Sequence, residues 1–181
     1  MTWRSAVAAA VAAIVLAGCG ASDSGRSAAP ELPADDAFVV RLYAQQQAAA
    51  ALLRDAEGQV RAPEAKRLVA PLLEQRETTI AQLEPHRREV DSPEELADLG
   101  VTREQAAEDV TPTALEGVRP LDPAFLATMA RVGEGTIALA KAEVAQGRDS
   151  VVKEFAQQLI VDQMRENTRI NRALAALQQT A

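Results

Sequence analysis

Apolar residues recur every three or four positions along two stretches of this chain, and the two stretches repeat each other. From Asp122 to Leu177 the pattern predicts two amphipathic helices in an antiparallel hairpin, and from Asp35 to Val90 it occurs again without a gap. Adding 87 to a position in the first copy gives its counterpart in the second: Phe38 and Phe125, Leu42 and Met129, Lys66 and Lys153, Leu72 and Leu159, Leu83 and Ile170. Two copies of one hairpin predict an all-α four-helix bundle with Phe38 and Phe125 in a shared interior.

The spacing also places the breaks. In the first hairpin (35–91), the acidic pair Asp35–Asp36 suits the positive end of a helix dipole, and the helix runs to about Glu57 on a stripe of Phe38, Leu42, Ala49, Leu52, Leu53 and Ala56. Gln45 and Gln46 fall inside that stripe. Pro63 fits the first turn of the second helix. Its stripe is Leu68, Leu72, Thr79, Leu83, His86 and Val90, it ends near Asp91, and internal Pro71 and Pro85 predict kinks or breaks. Residues 92–121 read as a long crossover with short helices beginning at Ser92 and Thr102, which fits a ferritin-like connection. The second hairpin (122–178) opens with Asp122 as the expected N-cap. Its first stripe is Phe125, Met129, Val132, Thr136, Ala140 and Val144, and Gly133 and Gly135 inside it imply a packing reason. The last helix starts at Asp149 or Ser150 and has a near-heptad seam of Val152, Phe155, Leu159, Gln163, Asn167, Ile170, Leu174 and Leu177.

The start of the chain has a different character. Arg4, an uncharged apolar run from Ala6 to Leu16 and then Leu16-Ala17-Gly18-Cys19 predict a lipoprotein signal peptide over 1–18. The run is well short of the roughly 20 residues that span a bilayer. Its end resembles the bacterial lipobox, which implies lipid on the Cys19 thiol and a membrane anchor on the extracytoplasmic face. Residues 19–34, rich in Ser, Ala, Gly, Asp and Pro, read as a flexible tether. With one Cys in the chain, an internal disulfide is impossible.

Composition narrows the partners. Net charge is −7 and no basic patch exists, which argues against nucleic acid. Aromatic residues make up 3%, so the core is built from Leu, Val, Ile and Ala. Outward Val39 and Val40 mark a candidate homodimer face.

Candidate chemistry is sparse. A di-iron site needs paired Glu-x-x-His motifs. The chain has one histidine, His86, and no such pair. Met129 and Met164 are soft potential Cu(I) ligands, but methionines at helical spacing equally serve as core filling. His86 is expected to be a partly buried histidine satisfied by a neighbour. Gln45, Gln46, Gln163 and Asn167 form either a buried hydrogen-bonded cluster or a hydrated stripe edge. No catalytic residue or cofactor is assigned.

Both copies resemble the bacterial domain of unknown function 305 family, exported ferritin-like bundles. Its signature is Asp and Phe at a helix start, then Met-x-x-His-His, then a hairpin ending Gln-x-x-Glu-Ile-x-x-Met. Here Phe38 to Ala50 and Phe125 to Ile137 align with the opening, and Gln163-x-x-Glu166-Asn167-x-x-Ile170 with the close. The resemblance implies copper or other metal handling through the histidine pair. That pair is Gln45-Gln46 in one copy and Val132-Gly133 in the other, and the first-copy Met is Leu42. The leading expectation is a non-enzymatic envelope lipoprotein that binds or scaffolds another envelope protein. The alternative is a copper-binding protein using Met129, Met164 and His86.

Overall fold

The computed structural model describes residues 34–87, 115 and 117–179. The expected signal peptide, Cys19, the expected tether before Ala34 and the short crossover helices expected after Ser92 lie outside the described residues.

Four long helices are present among the described residues. α1 spans Ala34–Glu57, with Asp35 and Asp36 in its first turn. α2 spans Pro63–Leu83, with Pro63 in its first turn, and tightens into a 3-10 turn at Glu84–His86. α3 spans Leu121–Gln146 and α4 spans Ser150–Gln179. Asp149 caps α4, its Oδ1 accepting from the backbone N–H of Val151 at 2.7 Å and Val152 at 3.3 Å. None of the described helices is long and apolar enough to cross a membrane.

Several expectations need correction here. α2 runs through Pro71 unbroken. The proline lies on the exposed face, where water can satisfy the Arg67 carbonyl left without its donor. The α-helix stops at Leu83 rather than near Asp91, because Pro85 has no N–H to continue the ladder. His86 is exposed rather than partly buried. Val39 and Val40 are buried, at 2% and 6% exposure, so they form no outward dimer face. α1 lies between α2 and α3 and buries a face wider than one stripe.

Asp122 does not cap its own helix. Its Oδ1 reaches across to the α1–α2 turn and accepts the backbone N–H of Arg61 at 2.7 Å and Ala62 at 3.0 Å. Asp35, its counterpart 87 residues earlier, does the same at the α3–α4 turn. There it accepts from Arg148 at 2.9 Å and Asp149 at 2.8 Å. Each hairpin therefore holds the turn of the other, and the bundle has an approximate two-fold axis. Asp122→Ala is expected to lower stability by roughly 1.5 kcal/mol, the lower end for hydrogen bonds to a charged group, as read by urea unfolding. A change below about 0.3 kcal/mol, within the scatter of ordinary surface substitutions, would show that the clasp is idle.

The clasps also define the topology. Asp35 joins the start of α1 to the end of α3, so those two helices are antiparallel. α2 finishes near the Asp35 end, where Leu83 packs with Phe38 and Val39, whereas α3 begins at the Asp122 end. The chain thus leaves α2 at one end and rejoins the bundle at the other, the ferritin-like arrangement. No strand occurs among the described residues.

The repeat extends to burial. Ala65, Val69, Leu72, Arg76, Thr79 and Leu83 are the buried positions of α2, and adding 87 to each returns the buried positions of α4: Val152, Ala156, Leu159, Gln163, Glu166 and Ile170. Steps of four and three between them make a heptad seam on both helices. The apolar interior is split, however. Phe125 packs with Leu52, Leu53, Val69, Leu72, Met129 and Ile170 toward the Asp122 end. Phe38 packs with Leu42, Leu83, Val152 and Leu159 toward the Asp35 end, its ring edge-on to Phe155 at 6.4 Å. The two phenylalanines therefore do not share one interior: an antiparallel pair puts equivalent residues at opposite ends.

Candidate functional site

Between the two apolar clusters, every helix contributes polar side chains. Gln45 and Gln46 lie between Leu42 and Ala49 on α1, and Arg76 and Thr79 between Leu72 and Leu83 on α2. Thr136 lies between Val132 and Ala140 on α3, and Gln163 and Glu166 between Leu159 and Ile170 on α4. All are buried, and Gln46, Arg76, Thr136 and Gln163 have no exposed surface. An unpaired buried polar group costs about 1–3 kcal/mol, and the layer meets most of its own hydrogen bonds, leaving Arg76 Nε and Glu166 Oε2 without a partner among the described residues.

Arg76 is its centre. Nη1 donates to Gln163 Oε1 at 3.0 Å and to Gln46 Oε1 at 3.3 Å, while Nη2 makes an ion pair with Glu166 Oε1. Gln163 is Arg76's own counterpart in the repeat, so this bond crosses between equivalent positions of α2 and α4. Gln163 Nε2 donates in turn to Glu166 Oε1 and to Asn167 Oδ1 at 3.3 Å, and Asn167 Nδ2 reaches the Ala130 carbonyl at 3.4 Å. On the other side Gln46 Nε2 donates to Thr136 Oγ1 at 3.3 Å. The single Thr136 hydroxyl proton serves either Gln45 Oε1 at 2.9 Å or the Val132 carbonyl at 3.0 Å. One hydrogen-bonded chain thus connects all four helices.

Gly133 makes the layer fit. A Cβ there would fall 2.0 Å from Asn167 Oδ1 and 2.7 Å from Gln163 Nε2, so this glycine gives the α4 amides their space. That is the packing reason expected for a glycine inside a helix. Gly133→Ala gains up to about 1 kcal/mol in helix propensity but forces both amides to retract, against an overpacking cost of about 1–3 kcal/mol. A net loss of stability in urea unfolding is expected, recovered when Asn167→Ala is added. No recovery in the double variant would show that the amides are not what crowds the site.

Of the polar residues proposed from sequence, Gln45, Gln46 and Gln163 meet in this layer and Asn167 closes its edge, half-buried. Arg76 and Glu166 were missed as the centre. Arg76 had a signal: it fills the step between Leu72 and Thr79 on the α2 seam, where a charged residue demands a partner. Glu166 had a weaker one, as the acid of the closing Gln-x-x-Glu.

The three metal candidates do not converge. Met129 is wholly buried among apolar side chains toward the Asp122 end, whereas Met164 is 57% exposed on the outside of α4 and so is not core filling. His86 stands beyond the end of α2, toward the Asp35 end. Among the described residues, no three His, Cys, Asp or Glu side chains are grouped to hold a metal ion. The residues at the family's histidine positions fit a metal poorly: Gln45, Gln46, Val132 and Gly133 supply neutral amides, a hydrocarbon and no side chain at all. The guanidinium of Arg76, itself a cation, is bound by the same layer. A groove of about 340 Å³ runs between α2 and α4 past Pro71, Thr79, Phe155 and Leu159, but Arg76, Gln163 and Glu166 do not line it.

A duplicated helical hairpin, clasped end to end and joined at mid-height by a charged polar layer, defines a ferritin-like four-helix bundle. Residues 88–174 match the model of the family described as Domain of unknown function (DUF305), and the chain carries a domain of that family over these residues. The match takes in α3 and most of α4, while the first hairpin extends the same pattern ahead of it. No curated protein and no solved structure matches the chain.

Proposed function

We propose that this protein is a lipid-anchored, extracytoplasmic bundle that binds or scaffolds another envelope protein and performs no chemistry of its own. The observation that carries this reading is the state of Arg76. Its guanidinium fills the middle of the layer and spends both terminal nitrogens on Gln46, Gln163 and Glu166. A fixed cation there repels a metal cation and already occupies the Oε1 atoms of Gln46 and Gln163. The layer works as a strut: its bonds form in one register only, whereas the Ala-rich stretch from Ala48 to Ala51 gives α1 little shape to resist sliding. The leader pattern and Cys19 support an anchor on the extracytoplasmic face.

Two measurements test the reading. Intact-mass analysis of protein from membranes is expected to show a diacylglycerol adduct that Cys19→Ser abolishes. Titration of the full chain with Cu(I), Cu(II) and Zn(II) is expected to show no tight stoichiometric binding. Tight binding lost on His86→Ala or Met129→Leu would replace this reading with the copper-binding one.

A further inference from the structure

A second buried acid lies apart from the central layer. Glu143, in the last turn of α3, is 2% exposed, and neither of its carboxyl oxygens meets an N–H or O–H donor in the structure. Its side chain is paired with that of Asp35. Asp35 is already committed as an acceptor, taking the backbone N–H groups of Arg148 and Asp149 on its two oxygens. Two carboxyl groups in contact cannot both ionise without repulsion, and a buried one with no donor of its own is satisfied by carrying the proton itself. Asp35 is thus the anion and Glu143 the acid that donates to it.

The surroundings are shaped for this pair. A Cβ on Gly147 would fall 1.9 Å from Glu143 Oε1 and 2.7 Å from the Glu143 carbonyl, so a glycine at 147 leaves room for the carboxyl. Other charged groups face Glu143 from each side: Asp149 of the turn opposes its ionisation and Lys153 of α4 favours it. Arg41 of α1 shares with it a small pocket of about 130 Å³ between the first turn of α1 and the last turn of α3. The opposite end of the bundle supplies the contrast. There Asp122 clasps Arg61 and Ala62 in the same way, but the position equivalent to Glu143 is Ala56 and that equivalent to Gly147 is Val60. One clasp of the symmetric pair carries an extra acid, and the other does not.

We propose that Asp35 and Glu143 form a proton-operated latch, which holds the first turn of α1 on the α3–α4 turn and releases it when Glu143 gives its proton to water. After that loss two carboxylates face each other, Asp35 withdraws from Glu143, and its hold on the Arg148 and Asp149 amides loosens. Burial, followed by the bond to Asp35 and its negative charge, raises the Glu143 carboxyl to about 7, which sets the release near neutrality. The inference stands whether or not Cys19 carries lipid. In an anchored protein, the released turn is the one the tether leads into.

Carbon-detected NMR of the full chain in detergent tests the latch, following backbone carbonyl and nitrogen shifts from pH 5 to 8.5. Arg148 and Asp149 are expected to move together with a midpoint near 7, while Arg61 and Ala62 stay flat. Glu143→Gln, which keeps a donor to Asp35 at every pH, is expected to abolish the transition with the turn in its low-pH position. Glu143→Ala, copying the other end, is expected to abolish it as well and serves if the glutamine variant folds poorly. Histidine ordinarily titrates in this range, so His86→Asn must leave the transition in place. The latch is overturned by a flat response at Arg148 and Asp149, by a transition that survives Glu143→Gln or vanishes in His86→Asn, or by equal movement at both ends.

Discussion

Arg76→Ala is expected to destabilise the bundle by about 3–5 kcal/mol, the usual cost of removing one partner from a buried ion pair. The variant leaves Glu166 at 1% exposure with Gln163 as its remaining donor, and strips the Oε1 atoms of Gln46 and Gln163 of theirs. Against a total stability of 5–15 kcal/mol for a domain, roughly, such a loss approaches unfolding. Urea unfolding followed by helical circular dichroism measures it. Replacing Arg76 by Met and Glu166 by Leu together removes both charges. Buried pairs exchanged for apolar residues are often neutral or better, by about 1–4 kcal/mol, although here two glutamine oxygens stay unpaired at about 1–3 kcal/mol each. The double variant should therefore be more stable than Arg76→Ala but below the parent. If the layer sets register, its NMR spectrum will also lose dispersion even where stability returns. An Arg76→Ala loss under about 0.5 kcal/mol, the range of surface substitutions, would mean that the layer is no strut.

The second large effect is a fall in stability as pH rises from about 4.5 to about 7. Burial, then the bond and charge of Asp35, lift the Glu143 carboxyl from its ordinary 4.5 to about 7 in the folded chain. Between those values the native state holds a proton that the unfolded chain has lost, so unfolding is favoured progressively as pH increases. The contribution is whole below 4.5 and gone above about 7. A shift of this size corresponds to about 3 kcal/mol. Asp35 acts in the opposite sense. Burial pushes it up, but the backbone N–H of Asp149, the Glu143 carboxyl and the backbone N–H of Arg148 outweigh that and leave it below its ordinary 3.8. Its contribution is present above 3.8 and lost on acidification. The pair is thus most stabilising in mildly acid solution. In denaturant melts across this range, Glu143→Gln is expected to flatten the decline above 4.5. A parent whose stability is level or rises between pH 5 and 7, or an equal decline in the glutamine variant, would refute the assignment to Glu143.

The two effects concern features of different legibility. Gln45, Gln46 and Gln163 stand out in sequence because an amide interrupts an apolar stripe, and a stripe is a property of one helix. Arg76 sits on such a stripe too, yet a long side chain at a seam position reads as easily as one that reaches water. Only the fold, which brings α4 alongside α2, puts Glu166 and Gln163 within its reach. Glu143 is harder still: its position on α3 lies one step before Val144 on the predicted stripe. What buries it is the arrival of Asp35, 108 residues earlier, and the absence of a Cβ at Gly147.

Periodicity acts over a few turns, so the sequence alone determined the duplicated hairpin, the helical class and most of the seam positions on each helix. It also placed Pro63 at the start of α2 and the start of α4 at Asp149 or Ser150, because those effects act within a single turn. Tertiary structure decided the rest. It separated Phe38 from Phe125, sent Asp35 and Asp122 to clasp the turns of the opposite hairpins, and gave Arg76 its counter-charge. The reason is common to all three: each depends on side chains tens of residues apart meeting across an antiparallel pair, and the direction of packing is not written in the period of either helix.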